Sequence, residues 1–164
     1  MEQPYNVLFL CTHNSARSIL CESILNHLGR GRFRGFSAGS SPAGKVNPLA
    51  IETLKKAGHD ITGLHSKSWE EFAESGAPKM DLVITVCDHA AGEVCPIWPG
   101  HPVKVHWGLT DPSLAPGGEP ARRSAFENTY KEISRRINVL ISLPIKALDR
   151  AILEQKLNEI GTRQ

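Results

Sequence analysis

The chain has 164 residues, of which 40% are hydrophobic and 22% are charged, and these values are ordinary for a globular protein of one domain. Its formal net charge is +2, and the Lys and Arg residues are scattered along the chain, which argues against nucleic acid or a membrane as a partner. The first residues do not resemble a signal peptide, and no apolar run reaches the ~18 residues of a membrane span, so we expect a cytoplasmic protein.

Four short segments have the composition of β-strands. Apolar residues are nearly continuous over Val7–Leu10 and over Asp81–Val86, as expected for strands that are buried on both faces of a sheet. Phe33–Ala38 and Val103–Trp107 instead alternate between apolar and polar residues, as edge strands do. Helical segments separate these strands, so we expect a single open four-stranded parallel sheet of the α/β class, with strand order 2-1-3-4.

Helical periodicity occupies the intervals between the strands. An apolar stripe predicts a first helix that stops at Gly29, and Pro48 suits the first position of a second helix that continues to Gly58. A short helix is expected over Trp69–Ala73.

The last part of the chain is predicted to be helical. Apolar residues recur at helical spacing between 126 and 140, and Pro144 breaks this long helix. Ile145 then begins an amphipathic tail helix. We therefore assign residues 1–144 to the main domain and residues 145–164 to a C-terminal helical extension of the same domain.

A cysteine and an arginine bracket the turn between the first strand and the first helix. Cys11 ends the strand, and Arg17 follows after five intervening residues. Backbone N–H groups of such a turn can converge at the positive end of the helix, while the planar guanidinium holds two oxygens of a tetrahedral oxyanion. The same dipoles are expected to lower the pKa of Cys11 and make it a nucleophilic thiolate. The predicted oxyanion-binding residues are Thr12, His13, Asn14, Ser15, Ala16, Arg17 and Ser18.

The alternative for this segment is a buried cysteine at a strand end beside a surface arginine. The strand before Cys11 and the helix after Arg17 favour the oxyanion loop. Asn14 and Ser15 suit a tight, partly left-handed backbone, and Ser18 suits a helix cap and a hydrogen bond to the thiolate. A nucleotide-binding loop is excluded, because no Gly-Lys-Ser/Thr is present.

The chain has four cysteines, and one of them differs in its surroundings from the others. Cys21 falls within the apolar pattern of the first helix, which is typical of a core thiol. Cys11 and Cys87 each follow a buried strand, and the expected strand order places those two strands side by side. These two thiols should therefore be neighbours at the edge where open parallel sheets bind ligands. Cys95 follows Cys87 after seven residues.

Several motifs together resemble those of the low-molecular-weight tyrosine phosphatase family. They are Cys11–Ser18, Phe36–Gly39 and Trp107–Pro112. Thr85–Asp88 and Cys95-Pro96 are similar to motifs of the arsenate reductase branch of that family. Their joint occurrence makes the resemblance more specific than the loop alone.

The resemblance implies a thiol relay that reduces arsenate to arsenite. Cys11 attacks arsenate held by Arg17, and Asp111 helps water to leave. Cys87 then attacks Cys11 and expels arsenite, and Cys95 attacks Cys87, which frees Cys11 and leaves a Cys87–Cys95 disulfide. Thioredoxin, or glutaredoxin with glutathione, is the implied reductant. No cofactor is implied.

The relay places a demand on the segment between its last two cysteines. If residues 88–94 were helical, they would separate Cys87 from Cys95 by about 12 Å, whereas a disulfide allows only ~4.4–6.8 Å between Cα atoms. The segment must therefore loop or unwind during turnover. It is also one residue longer than in thioredoxin-coupled members of the family, which leaves the choice of reductant open.

The sequence offers ligands for two kinds of metal site, and neither site is assigned. Zinc could be bound by Cys87 and Cys95 with the histidines His89, His101 and His106, but the spacing matches no usual zinc pattern. Some members of the family bind an alkali cation beside the loop.

Three residues match part of that cation site, namely Asn14, Glu22 and Ser37. Ser68, however, stands where a carboxylate would be needed. No cation is assigned to the site for this reason, and whether one binds near these residues stays open.

Two other functions remain open at this point. A phosphatase for phosphotyrosine or a small phosphate ester needs only the loop and Asp111 as general acid. The residues Ser113-Leu114-Ala115 lack the tyrosines that resemble a phosphotyrosine-selecting wall, which argues against it. A non-catalytic redox or oxyanion sensor is the alternative from another class, and such a sensor has no need of Asp111.

Overall fold

A computed structural model describes residues 4–87, 98 and 102–162 of the chain. Its centre is a four-stranded parallel sheet in the order β2-β1-β3-β4, which confirms the predicted fold class and strand order. The strands are β1 (Tyr5–Cys11), β2 (Phe33–Gly39), β3 (Leu82–Thr85) and β4 (Val103–His106).

Four α-helices and three 3₁₀ turns accompany the sheet in the described part of the chain. The helices are α1 (Arg17–Leu28), α2 (Pro48–Lys56), α3 (Glu119–Ser142) and α4 (Arg150–Thr162). The 3₁₀ turns are Trp69–Phe72, Pro112–Leu114 and Ile145–Ala147. The predicted helix over Trp69–Ala73 is thus a 3₁₀ turn, and the tail begins with another such turn before regular helix starts at Arg150. None of these helices is both long and apolar enough to cross a membrane.

Strand β1 supplies side chains to both faces of the sheet. Val7 and Phe9 pack with helices α1 and α3 in the larger core cluster. Leu8 and Leu10 point to the other face, where Trp69 and other residues form a smaller cluster. All four strand residues are fully buried, and each contributes about 1.5–3 kcal/mol through the hydrophobic effect.

The register of the sheet brings the ends of β1 and β3 to the same edge. Leu10 is paired with Thr85, and the N–H of Val86 donates to the carbonyl of Leu10 at 2.9 Å. Cys11 directly follows Leu10, and Cys87 directly follows Val86. The sheet therefore places two thiols that are distant in sequence at the carboxyl edge, where open α/β folds form their sites.

Candidate active site

The loop after β1 has its carbonyl groups directed outward. Carbonyl oxygens of Thr12, His13 and Ser15 accept hydrogen bonds from N–H groups of the 41–47 segment, at 2.8–2.9 Å. The described peptide bonds are all trans, so each following N–H points away from that segment. Those N–H groups, together with the start of α1, can bind an oxyanion on the inner side of the loop.

Gly39 allows the loop to lie close to the end of β2. A Cβ at this position would be 2.4 Å from the carbonyl oxygen of Thr12 and 2.8 Å from that of Cys11. Any larger residue would push the loop away from the sheet. The glycine of the motif Phe36–Gly39 is therefore required for the close approach of the oxyanion loop to the end of β2.

Asn14 has the left-handed backbone that was expected for the loop, with φ of 47°. Its side chain is fully buried, and its amide donates to Ser18 Oγ at 2.8 Å while its oxygen accepts from the N–H of Lys67 at 2.9 Å. These bonds offset the roughly 1–2 kcal/mol cost of a left-handed residue.

The prediction that Ser18 caps helix α1 was wrong. Ala16 occupies the N-cap position, and no side chain caps the helix there.

Cys87 lies beside Cys11, as the strand order predicted. Both thiols are buried and neither is in a disulfide. The two side chains are hydrogen-bonded, and Cys87 Sγ is also 3.5 Å from Thr12 Oγ1. The edge of the sheet thus holds a nucleophile candidate with a second thiol in contact.

The pKa of Cys11 departs from the expected direction. The hydrogen bond with Cys87 and, second, burial raise this pKa well above that of a free thiol, while the charge of Arg17 and the N–H of Thr12 lower it. The expectation of a lowered pKa was wrong for this arrangement, because it counted the helix dipole and Arg17 but not the neighbouring thiol.

We expect Cys87→Ala to lower the pKa of Cys11, because it removes the largest cause that raises it. A lower pKa increases the thiolate fraction at a given pH, so alkylation of Cys11 by iodoacetamide should reach half-maximal rate at a lower pH. The site of alkylation is identified by peptide mapping. Cys21→Ala, which removes a buried thiol inside α1, is the control and should leave the midpoint unchanged. An unchanged or higher midpoint in Cys87→Ala contradicts this explanation.

Arg17 and Asp111 lie together at the mouth of the loop. Arg17 Nη1 donates to the carbonyl oxygen of Leu109 at 2.9 Å, and Nη2 lies 3.5 Å from Asp111 Oδ2. Asp111 Oδ1 accepts from the N–H of Ser113 at 2.9 Å and caps the turn Pro112–Leu114. Asp111 therefore caps the turn with one carboxylate oxygen and faces Arg17 with the other.

Lys67 is a buried cation beneath the loop that the sequence analysis missed. Its ammonium lies 3.7 Å from Glu22 Oε1 and donates to the carbonyl oxygen of Ser37 at 3.1 Å. Burial lowers the pKa of Lys67 and raises that of Glu22, and each group opposes the shift of the other. Asn14, Glu22 and Ser37, which match part of an alkali-cation site in relatives, therefore all contact Lys67 here.

We expect Lys67→Met to destabilise the protein, because it leaves the buried carboxylate of Glu22 without its counter-charge. Removal of one partner of a buried ion pair costs about 3–5 kcal/mol. Urea unfolding at neutral pH measures the free energy of unfolding. The double variant Glu22→Gln, Lys67→Met should recover most of the loss, and a double variant no more stable than Lys67→Met contradicts the pairing.

Three of the candidate residues above, Cys95, His89 and His101, fall outside the part of the chain that the structure describes. Within the described part of the chain, no group of three or more His, Cys, Asp or Glu side chains could hold a metal ion. His106 is hydrogen-bonded to Thr85 Oγ1 at 2.7 Å. The described geometry thus brings together Cys11, Arg17, Cys87 and Asp111.

Comparison with known proteins identifies the family. The family model for low-molecular-weight phosphotyrosine protein phosphatases matches residues 6–155. The chain belongs to this family. Within it, the arsenate reductase of Halalkalibacterium halodurans is 36% identical over 131 residues, which are 80% of this chain and 91% of the relative.

Solved structures agree with this assignment. A structure described as an arsenate reductase in the phosphate-binding state is similar with a TM-score of 0.68 and 28% identity, over 84% of this chain and 97% of that one. The thioredoxin-dependent arsenate reductase of Corynebacterium glutamicum gives a TM-score of 0.61 at 28% identity, over 87% of this chain and 63% of that one. The phosphatase fold therefore holds across relatives that are named as reductases.

Proposed function

We propose that this protein reduces arsenate to arsenite through a thiol relay. The observation that carries the proposal is the contact between Cys11, at the head of the Cys-x5-Arg loop, and Cys87 at the end of the neighbouring strand. Phosphate ester hydrolysis needs one nucleophilic thiol, whereas reduction needs two electrons from a pair of thiols. The names of the relatives support the same reading.

Arsenate binds in the loop in the first step. The loop N–H groups and the guanidinium of Arg17 hold its oxygens, and Cys11 Sγ attacks arsenic. Asp111 protonates the departing oxygen, which leaves as water, and the proton released by Cys11 restores Asp111 through solvent. The product is a thiol–arsenic adduct in which arsenic is still pentavalent.

The electrons move in the second step. Cys87 attacks Cys11 Sγ, the sulfur–arsenic bond breaks, and its electron pair stays with arsenic. Arsenite departs, and a Cys11–Cys87 disulfide holds the oxidation. The hydrogen bond between the two thiols supports this step, because it places the attacking sulfur in contact with its target.

The third step moves the oxidation away from the loop. Cys95 attacks Cys87 Sγ, Cys11 leaves as thiolate, and a Cys87–Cys95 disulfide forms. An external dithiol then reduces this disulfide. We propose thioredoxin as that reductant, as in the Corynebacterium glutamicum relative, with glutaredoxin and glutathione as the alternative. The need for reduced thiols favours the cytoplasm as the location.

Hydrolysis of a phosphate ester is the second candidate function. The loop, Arg17 and Asp111 are sufficient for it, and the family contains phosphatases. A redox or oxyanion sensor, the third candidate, has no use for a general acid. Loss of turnover in Asp111→Asn would therefore argue against a sensor.

Arsenate-dependent oxidation of NADPH tests the proposal. The protein is assayed with thioredoxin and thioredoxin reductase, and separately with glutathione, glutaredoxin and glutathione reductase. We expect oxidation that requires arsenate and is not supported by phosphate. The proposal is wrong if neither reductant system oxidises NADPH while p-nitrophenyl phosphate is hydrolysed, since that outcome identifies a phosphatase.

A further inference from the structure

Helix α4 covers the outer strand of the sheet. Its buried residues Leu153, Leu157 and Ile160 lie on one face, at helical spacing. They belong to the same core cluster as Val103 and Val105 of strand β4. The C-terminal helix is thus packed against the strand that leads into the segment 107–111, which we call the acid segment because it ends at Asp111.

Trp107 is the residue at which α4 meets the acid segment. Its indole N–H donates to the carbonyl oxygen of Leu157 at 2.8 Å, and its ring is almost fully buried. Gly161 lies against the same residue: a Cβ there would be 2.7 Å from Trp107 Cδ1 and 2.7 Å from the carbonyl oxygen of His106. Real side chains do not approach this closely, so only glycine allows the observed packing.

The acid segment holds the guanidinium of the oxyanion loop. The N–H of Leu109 donates to the carbonyl of Val86 at 2.9 Å, which ties the segment to the end of β3. The carbonyl of Leu109 accepts from Arg17 Nη1 at 2.9 Å, and Asp111 lies 3.5 Å from Nη2. Trp107 is thus only two residues from Leu109 and four residues from Asp111, the two residues that contact Arg17.

We propose that helix α4 sets the position of the acid segment, with Gly161, Leu157 and Trp107 as positioning residues for Arg17 and Asp111. This inference rests on the proposed function, because its first test measures arsenate reduction. Placement of a general acid within about 1 Å of its productive position controls the rate of the chemical step.

Gly161→Ala is the main test. Alanine is a better helix former than glycine, so helix propensity alone would favour this variant, and any loss of rate comes from the collision with Trp107 and His106. We expect kcat for arsenate to fall about tenfold and KM to rise as well, because the displaced Arg17 also holds the oxyanion. Trp107→Phe, which keeps an aromatic ring but loses the indole N–H donor and part of the buried volume, should shift kcat in the same direction. Gln155→Ala, at an exposed position of α4, is the matched control and should match wild type.

A count of active sites separates positioning from loss of folded protein. The fraction of Cys11 labelled by iodoacetamide gives the number of intact sites, and kcat is expressed per labelled site. A variant that only loosens the fold has a lower melting temperature and fewer labelled sites but a wild-type kcat per site. That result for Gly161→Ala overturns the inference.

The inference and the proposed function fail in different ways. If the wild-type protein does not reduce arsenate, the proposed function is wrong. The same variants are then compared for hydrolysis of p-nitrophenyl phosphate, because this reaction also depends on Arg17 and Asp111. A loss of about tenfold in Gly161→Ala supports positioning by α4, and a wild-type rate overturns it.

Discussion

Replacement of Cys11 by serine will abolish both arsenate reduction and any hydrolysis of phosphate esters. A hydroxyl has nearly the shape of the thiol but gives up its proton less readily than a thiol and is a far weaker nucleophile. Loss of a nucleophile typically lowers kcat by on the order of 10⁴-fold or more. Steady-state rates with arsenate and with p-nitrophenyl phosphate measure both activities on the same preparation.

Cys21→Ser is the control for Cys11→Ser, because it exchanges the same atoms at a buried position inside α1. We expect Cys21→Ser to retain both activities per folded molecule. A Cys11→Ser variant that still turns over arsenate at more than a few per cent of the wild-type rate would exclude Cys11 as the nucleophile.

Replacement of Cys95 by serine will limit arsenate reduction to a single turnover. Cys87 can still attack Cys11 once, but the resulting Cys11–Cys87 disulfide has no internal thiol to resolve it. Steady-state reduction should therefore fall by at least about 100-fold, while hydrolysis of p-nitrophenyl phosphate, which needs neither Cys87 nor Cys95, stays near wild type. Peptide mapping after arsenate treatment should find Cys11–Cys87 in the variant and Cys87–Cys95 in the wild type.

Multiple turnovers in Cys95→Ser would contradict the relay. If Cys95→Ser reduces arsenate with thioredoxin at the wild-type rate, the relay of three cysteines is wrong. A shorter scheme, in which glutathione or a glutaredoxin attacks the Cys11 adduct directly, would then account for turnover. Cys87→Ser distinguishes this scheme, because it should retain activity only if an external thiol replaces the internal one.

The sheet and the proximity of Cys11 to Cys87 were predictable, because both follow from the hydrophobic pattern of the strands and from the rules for connecting parallel strands. The uninterrupted apolar run of β1 marked a central strand, and the parallel topology then required Cys11 and Cys87 to meet at one edge. The left-handed backbone of Asn14 was also predictable, since few residues other than glycine adopt it.

The electrostatics of the site were less predictable. Whether a neighbouring thiol raises the pKa of Cys11 depends on the side-chain rotamers of two residues that are 76 positions apart, and no sequence pattern reports these. Lys67 was missed for a similar reason: lysine is usually exposed, and its burial against Glu22 and Ser37 follows from tertiary packing alone.

The start of the tail helix was misplaced although a local signal for it was present. Asp149 accepts a hydrogen bond from the N–H of Ile152 through its side chain at 2.9 Å, as an N-cap residue does. The apolar spacing from Ile145 onward masked this cap. Contacts that join distant segments, such as Gly161 against Trp107, had no sequence signal of their own.

The stoichiometry of a single turnover without any external reductant tests the central claim most directly. The fully reduced protein has four cysteines, and it is mixed with excess arsenate. Arsenite is then measured, and free thiols are titrated after denaturation. The relay predicts one arsenite released per protein and two free thiols remaining, with phosphate in place of arsenate leaving all four. Release of arsenite only after glutathione is added, with four thiols present beforehand, contradicts the relay.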